Sequence, residues 1–322
     1  MLPRTRYFIG LAALAAVASA QPAFEAATIR PSAPIDQATM MAMVRSGKMP
    51  LGAHISSTRA EYNYLDLKTL LSYAYGVKPY QITAPDWMSS ARFDIAAKLP
   101  AGSTKADAPR MLQTLLENRF KLVVHRTTQE HPVLAIVVAK GGPKLNASAE
   151  KPVPIGEDAP LKPGEINMDT PDGPTRGTID MTTMSSVIDM GLKGKMAYKI
   201  NPQAKSVHID FMMTTLPGFA DMTTQLLTQI GGGIAAKRII DATGIEGNFD
   251  ASLDISLAEV MAMAKSSGIE TSPDTAAVAS DPGSGGATLA EALHSMGLRL
   301  ETRKASVEQF IVDHIEKTPT EN

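Results

Sequence analysis

Residues 107–140 read DAPRMLQTLLENRFKLVVHRTTQEHPVLAIVVAK, and this stretch decides the predicted fold. Leucines recur in its first part at the spacing of one helix face, and Pro109 stands early, where a helix loses nothing by lacking an N–H. Two apolar runs follow, over 120–125 and 134–140, with a polar stretch between them. The sequence therefore predicts a helix that begins near Asp107, and then two strands joined by a polar turn.

The same order of elements returns near the end of the chain, where residues 288–317 read TLAEALHSMGLRLETRKASVEQFIVDHIEK. Thr288 and Glu291 have the spacing of a capping box at the start of a helix, and a glycine ends that helix. Apolar runs at the two ends of the remaining segment predict two further strands. Helix, strand and strand thus occur twice in the same order.

Each of these stretches is preceded by another predicted helix and strand. A helix from Asp66 to Gly76 precedes a strand over 93–99, and a helix over 216–230 precedes a strand over 249–255. We predict an α+β fold built from two related modules, each a small, mostly antiparallel sheet with helices on one face. We interpret the repeated order as an internal duplication, with chance similarity of amphipathic patterns as the alternative.

The predicted modules cover residues 21–145 and 206–322. The segment 146–205 between them begins with many Pro, Gly, Asp and Glu residues, which predicts a linker followed by an extra segment. Within the second module, 256–266 has the pattern of an extra helix. Residues 268–287 contain almost no bulky apolar side chain, which predicts a mobile insertion.

The composition of the chain excludes several classes of protein. Of 322 residues, 44% are hydrophobic and 20% are charged, which excludes a wholly disordered chain, a collagen and a multi-span membrane protein. The 31 basic and 33 acidic residues give a net charge of -2, so no positive field attracts nucleic acid. The chain has no cysteine, which excludes disulfides, thiol catalysis and cysteine-bound metals.

The first twenty residues, MLPRTRYFIGLAALAAVASA, have the pattern of a signal peptide. Arg4 and Arg6 supply the positive start, an apolar run follows, and Ala18-Ser19-Ala20 is a small-residue cleavage site. The apolar run is shorter than the roughly 20 residues that a membrane-spanning helix needs. We therefore predict cleavage before Gln21, no transmembrane segment after cleavage, and a periplasmic or secreted protein.

Several segments of the chain resemble a large family of exported proteins that was described from soil acidobacteria and has no assigned function. The resemblance covers essentially the whole mature chain and is most specific in KGGPKL and TGIEGNFD. A related domain forms the exterior part of sensors built on membrane zinc peptidases. The resemblance implies a periplasmic or secreted protein and supplies no catalytic residue. The other matching segments are FEAATIRPSAP, LLSYAYGVKPYQITAPDWM, MLQTLLENRFKLVVHRTTQEHPVLAIVVA, IIDATGIEGNFDASLDI and VDHIEKTPTEN.

A weaker resemblance concerns residues 288–317 alone. This segment is similar to the second half of the short βαβ modules at the amino termini of secretins and TonB-dependent receptors. Those modules bind partner proteins and catalyse nothing. The likeness therefore supports an α+β fold more than it supports any particular function.

The sequence contains no complete catalytic or metal-binding pattern, so we predict no catalytic residue, no metal site and no cofactor. His125 and His131 flank the predicted polar turn, but a third ligand is lacking. Asp313 and His314 are neighbours in a predicted strand and therefore point to opposite faces, with His314 expected to be half-buried. Ser148 begins a Ser-x-x-Lys pattern, but in the linker instead of at a helix start. The methionines predict core packing in preference to copper binding.

Aromatic residues cluster between residues 62 and 93, although they make up only 5% of the chain. We predict a binding surface formed by Tyr73, Tyr75, Tyr80 and Trp87, because aromatic rings on a rigid surface suit a peptide, a glycan or a partner protein. The alternative is that these tyrosines complete the first hydrophobic core.

Three hypotheses of function follow from the sequence. The favoured one is an exported, non-enzymatic binding or protein-interaction protein, such as a stand-alone sensor domain, whose partner is a protein, peptide or glycan of the cell envelope or the exterior. The first alternative is a hydrolase that acts on envelope or extracellular polymers through carboxylates that the sequence does not pair. The second alternative is a periplasmic metal carrier.

Overall fold

The computed structural model describes residues 21–36, 38–39, 42–43, 51–156, 160–162, 164–180, 182–230, 238–256, 258 and 287–321. The predicted signal peptide lies outside the described residues. So do the predicted extra helix and mobile insertion, apart from a few residues at their ends.

Fifteen strands and four α-helices are found in the described residues. The strands are β1 Ala26–Pro31, β2 Gly52–Ile55, β3 Arg59–Asp66, β4 Ile82–Thr83, β5 Arg92–Lys98, β6 Val123–Val138, β7 Asn146–Ala147, β8 Glu165–Thr170, β9 Gly173–Asp180, β10 Ser185–Asp189, β11 Lys195–Asn201, β12 Ser206–Thr214, β13 Ile239–Asp241, β14 Phe249–Ser256 and β15 Leu298–His314. The helices are α1 Leu67–Tyr75, α2 Ala108–Phe120, α3 Leu216–Ile230 and α4 Leu289–Ser295, with 3₁₀ turns at Pro79–Gln81, Asp86–Ser89, Lys105–Asp107 and Gly191–Lys193.

Local signals set the helix ends where the sequence predicts them. Asp66 precedes α1, and its Oδ1 accepts a hydrogen bond from the N–H of Thr69 at 2.9 Å. Gly76 ends the same helix with a φ of 64°, a conformation that glycine adopts without strain. At α4, Thr288 and Glu291 form the predicted capping box. These caps satisfy backbone groups that a helix leaves unpaired. The mixture of helices and sheets in the structure is consistent with the predicted α+β class.

The strands form one eleven-stranded sheet and one four-stranded sheet. The order in the large sheet is β1-β5-β3-β2-β8-β9-β10-β11-β12-β14-β7, and in the small sheet β13-β6-β15-β4. In the large sheet, the strands on the two sides of the central β9 correspond in pairs: β5 and β3 on one side occupy the same positions as β14 and β12 on the other. In the small sheet, β6 and β15 correspond in the same way. The predicted pair of separate small sheets is therefore replaced by two sheets to which both halves of the chain contribute.

The two long strands of the small sheet differ from the prediction. The polar stretch in 120–140 was predicted to be a turn, but β6 and β15 each run through their polar middle without a break and pair with each other antiparallel, for example Glu130 with Ser306. A turn is unnecessary because the partner of β6 is not its neighbour in sequence. Ladder bonds to the distant strand satisfy the backbone of the polar middle instead.

The apolar ends of these strands belong to two separate cores. Ile136 of β6 and Leu298 of β15 pack in the second core with α3 and α4, whereas Phe310 of β15 packs in the first core with α1 and α2. The polar middle of the β6–β15 pair spans the distance between the cores. Each long strand therefore joins the two cores directly.

The segment 146–205, predicted as a linker followed by an extra segment, contains several strands. Residues 165–201 form β8 to β11, which join the two halves of the large sheet. The Pro and Gly residues that suggested a linker lie mostly before β8 and in the β8–β9 turn. The strands themselves are short and rich in Thr, Asp and Asn, so their alternation gives a weak sequence signal.

Matching bulges interrupt β3 and β12. Tyr64 and Met213 both adopt a positive φ, 59° and 56°, which is uncommon for residues with a side chain. The N–H of Tyr64 donates to Asp94 Oδ1 at 2.7 Å, and the N–H of Met213 donates to Asp250 Oδ1 at 2.8 Å. An aspartate on the neighbouring strand thus stabilises the bulge in each half.

Candidate functional site

The β8–β9 turn brings Asp172 into contact with both halves of the chain. Lys78, which follows α1, donates a hydrogen bond from its Nζ to Asp172 Oδ2. Gln225 of α3 donates from Nε2 to the same oxygen at 3.3 Å, and Lys193 Nζ lies 3.1 Å from Oδ1. One carboxylate of the middle segment therefore binds two ammonium groups and an amide.

A tyrosine and an arginine complete this region. The guanidinium of Arg238, just before β13, lies over the ring of Tyr80 at 5.4 Å from its centroid, a cation–π contact between the two halves. Arg238 Nε is buried and has no hydrogen-bond partner in the described part of the chain. We call the group Lys78, Tyr80, Asp172, Lys193, Gln225 and Arg238 the junction.

The surroundings of Asp172 and Tyr80 in the junction shift the pKa values of both side chains. Burial acts to raise the pKa of Asp172, but the hydrogen bond and charge of Lys78, together with Lys193, outweigh it and hold the pKa below its ordinary value. Burial raises the pKa of Tyr80 to about 12, even though Arg238 acts in the opposite direction. At neutral pH the junction therefore contains an ionised carboxylate and a neutral phenol.

Asp169, in the strand β8 that precedes this turn, makes a second set of contacts with the first half of the chain. Asp169 is buried, its Oδ2 accepts the N–H of Ile55 at 2.8 Å, and Lys105 Nζ lies 2.5 Å from its Oδ1. The main-chain oxygen of Asp169 accepts a hydrogen bond from the hydroxyl of Tyr73. The ring of Tyr62 lies 5.8 Å from the ring of Tyr73, and burial raises the pKa of both phenols.

The four aromatic residues predicted as a binding surface make contacts with different parts of the structure. Tyr80 belongs to the junction, and Tyr73 lies behind it, bound to Asp169. Tyr75 packs on Phe310 at a centroid distance of 4.6 Å, and its hydroxyl donates to Glu117, while Trp87 lies beneath Lys317. Tyr73, Tyr75 and Trp87 all pack against the first core, which favours the alternative that tyrosines of this cluster complete that core.

The remaining junction residues were not predicted from the sequence. The stretch Thr170-Pro171-Asp172-Gly173 contains an Asp-Gly pair between two short strands, which is a hairpin signal, but it was interpreted as part of a linker. Lys78, Lys193, Gln225 and Arg238 carry no such signal, because only the folded chain brings them together.

The histidines considered in the sequence are placed differently from expectation. His125 and His131 lie within β6 and not at a turn, and His125 Nδ1 lies 2.8 Å from Asp313 Oδ2 on β15. His314 is exposed and not half-buried, because a register shift between Val312 and His314 changes the alternation of β15 at its end. Within the described residues, no group of three or more His, Asp or Glu side chains has an arrangement that could hold a metal ion.

An acidic pair surrounds His208 on the surface of β12. Its Nδ1 lies 2.9 Å from Asp254 Oδ1, and its Nε2 lies 3.2 Å from Asp210 Oδ1. The hydrogen bond with Asp254 makes the largest contribution in raising the pKa of His208, burial opposes it, and Asp210 adds to the rise. These contacts therefore predict that the pKa of His208 lies above the ordinary value of a histidine.

We expect the Cε1 proton of His208 to titrate by NMR with a midpoint above 6.5, and Asp254→Asn to lower that midpoint. Since the pKa is higher in the folded than in the unfolded chain, the stabilisation is complete below pH 6.5 and is lost as the pH rises through the folded value. Asp313→Asn, which removes a different histidine partner, is the control and leaves the His208 midpoint unchanged. A midpoint at or below 6.5 contradicts the assigned contacts.

Comparison of the sequence with family models shows which family the chain belongs to. The sequence model of a family described as "protein of unknown function (DUF3738)" matches residues 68–315. The chain belongs to the DUF3738 family. The matched part of this DUF3738 protein contains all six junction residues and most of both cores. No curated protein and no solved structure matches it. Among its described residues, no helix is long and apolar enough to cross a membrane.

Proposed function

We propose that the protein is an exported, non-enzymatic binding protein of the sensor type, and that it binds an anionic group of its partner at the junction. The observation that carries this proposal is that Lys78 and Lys193 both contact the carboxylate of Asp172, next to Arg238 and Tyr80. A carboxylate, phosphate or sulfate of a partner has the same chemistry as the group these lysines already hold.

The accessibility of the junction supports this proposal. The side chain of Lys193 is 39% exposed and that of Asp172 is 29% exposed, so an anion in solution reaches the pair. Because Lys78 and Tyr80 come from the first half and Gln225 and Arg238 from the second, an anion that competes with Asp172 changes contacts between the halves. Such a change is what a sensor domain requires of its ligand.

The proposal of export has separate support. It is supported by the signal-peptide pattern of residues 1–20 and by the resemblance to exported proteins, including exterior domains of peptidase sensors. Amino-terminal sequencing of the protein recovered from the periplasmic or culture fraction tests this part of the proposal, with Gln21 expected as the first residue.

We also propose that the two halves arose by duplication of one module. The aspartates that hold the two bulges support this, since both follow a phenylalanine, in Phe93-Asp94 and Phe249-Asp250. The symmetric strand order and the repeated order of helices and strands support it as well.

The proposed anion site is tested by thermal unfolding with acetate, phosphate and citrate, each at the same ionic strength as a sodium chloride reference. We expect at least one of these anions to raise the Tm of the natural protein, because a ligand that binds only the folded state stabilises it. Lys193→Gln is expected to abolish the increase. Lys304→Gln, which removes an exposed lysine of β15, is the matched control and retains it. The proposal is wrong if no anion exceeds chloride, or if Lys193→Gln responds as the natural protein does.

One observation favours the hydrolase alternative, namely that Asp210 and Asp250 line the same cavity. Both carboxylates already accept hydrogen bonds within the protein, Asp210 from Ser252 and Asp250 from the N–H of Met213. These bonds favour a structural role for both residues.

Elemental analysis of the purified protein is the direct test of the metal-carrier alternative.

A further inference from the structure

A cavity of about 460 Å³ opens beside β14 in the second half. It lies where the chain before β7 separates from β14, and polar and apolar side chains both contribute to it. The lining residues used below are Lys144, Asn146, Asp210, Asp250 and Ser252.

The corresponding place in the first half is filled by a strand. β1 pairs with β5 over six residues, from Ala26 with Lys98 to Pro31 with Phe93. In the second half β7 pairs with β14 over only two residues, Asn146 with Asp250 and Ala147 with Phe249. The two contacts of β7 match the last two contacts of β1, so the remainder of the β1 position has no counterpart among the described residues.

The connection from β6 explains why β7 is short. β6 ends at Val138 in the other sheet, and the chain returns through Gly141 and Gly142, both at positive φ. The N–H of Lys144 then donates to the main-chain oxygen of Met296 at 2.8 Å, which holds this residue against the end of α4 and away from β14. The cavity lies between Lys144 and β14 as a result.

The edge of β14 at the cavity has main-chain groups that point away from β12. The main-chain oxygen of Asp254 accepts a hydrogen bond from the N–H of Ala287 at 2.9 Å. The N–H and C=O groups of Asp254 are therefore directed away from β12. Strand alternation places the N–H and C=O of Ser252 on that same side, where no strand of the described chain pairs with them. An extended ligand can bond to these groups as another strand would.

The charges around this edge select the ligand. Asp210, Asp250 and Asp254 contribute three carboxylates next to Ser252. The basic groups facing them are the ammonium group of Lys144 and the imidazole of His208, which contacts Asp210 and Asp254, so carboxylates still outnumber basic groups. The side chain of Asp254 is 63% exposed and accessible to a partner. A basic side chain on the ligand therefore fits this edge better than an acidic one.

We infer that the open edge of β14 binds an extended segment of a partner protein or peptide that carries lysine or arginine, added in the place that β1 occupies on β5. This site is separate from the junction, and the inference does not depend on the anion site proposed there. The segment is short, because among the described residues β7 pairs with β14 at Asp250 and Ala287 contacts it at Asp254, which leaves only the stretch between them.

The test uses the ¹⁵N-labelled mature protein and the capped peptide acetyl-Val-Lys-Val-Lys-Val-amide, with acetyl-Val-Glu-Val-Glu-Val-amide as its matched control. We expect the lysine peptide to shift the amide resonances of Ser252 and Asp254, and the glutamate peptide to leave them unchanged. Asp254→Lys is expected to weaken the lysine peptide by about tenfold. Glu61→Lys makes the same charge change on β3, which has strands on both sides, and leaves the affinity unchanged.

A second variant separates the main-chain contact from the charge. Ser252→Pro removes the N–H on the open side of β14 and spares the bonds to β12, so it abolishes the shift at Asp254 while the rest of the spectrum is retained. If Ser252→Pro does not fold, Asp254→Lys still decides the charge dependence. Absence of shifts at Ser252 and Asp254 at millimolar peptide overturns the inference, and so does an equal response to the glutamate peptide.

Discussion

Asp169→Ala is expected to destabilise the protein by about 3 kcal/mol, because it removes one partner of a largely buried ion pair. The Asp169 side chain is 9% exposed, and the variant leaves Lys105 without its counter-charge and the N–H of Ile55 without its acceptor. Asp169→Asn retains a side-chain acceptor for the N–H of Ile55, so we expect it to lower the free energy of unfolding by less than Asp169→Ala does. Urea unfolding followed by circular dichroism measures both changes.

The control for this prediction is Asp86→Ala, which removes an exposed carboxylate in a 3₁₀ turn of the same half. It is expected to change the free energy of unfolding by no more than about 0.5 kcal/mol. A loss below about 1 kcal/mol for Asp169→Ala, a value typical of an exposed ion pair, contradicts the role assigned to Asp169.

Phe310→Ala is expected to cost about 3–4 kcal/mol through the cavity left in the first core. Phe310 is 2% exposed, packs on Tyr75, and lies beneath the guanidinium of Arg126. Its strand begins in the second core at Leu298, so the first core is weakened by a change in a strand that both cores share. The free energy of unfolding in urea measures the loss.

Leu192→Ala is the control for the core substitution, since Leu192 is 67% exposed and its truncation removes little buried surface. During urea unfolding of the Phe310→Ala variant, we expect the two cores to unfold in one transition, because β6 and β15 cross both cores. Two separate transitions would show that the long strands do not couple the cores.

Elements that depend on neighbouring residues agree with the sequence. α1 begins and ends at the caps Asp66 and Gly76, and α4 begins at the capping box of Thr288 and Glu291; the partners of these caps lie within one turn of the chain. The strand at Phe249 was also predicted, because its apolar alternation is local. A cap or an alternating pattern requires no knowledge of the rest of the fold.

Elements that depend on distant partners do not follow from the sequence. The polar middle of β6 has the composition of a turn and is a strand only because β15 pairs with it across more than 150 residues. The middle segment has the composition of a linker and forms the centre of the large sheet for the same reason. In both cases ladder bonds to a distant strand override local propensity.

The candidate site shows the same division. Aromatic clustering in the sequence grouped Tyr80 of the junction with Tyr73, Tyr75 and Trp87, which pack against the first core, since composition does not distinguish a ring that packs on a core from one elsewhere. Asp172 and its partners come from four separate stretches of sequence, and the turn between β8 and β9 gathers them.

The sequence by itself determined the absence of cysteine, the helices with their caps, the α+β class and the membership of the family, because each of these is encoded in composition or in residues close along the chain. Only the tertiary structure decided that the halves share two sheets and that Asp172 lies between them. It also decided that β1 covers six residues of β5, whereas the described strand β7 covers only two of β14. The physical reason is that strand pairing and charge contacts are formed between segments far apart in sequence, so their outcome depends on the whole fold.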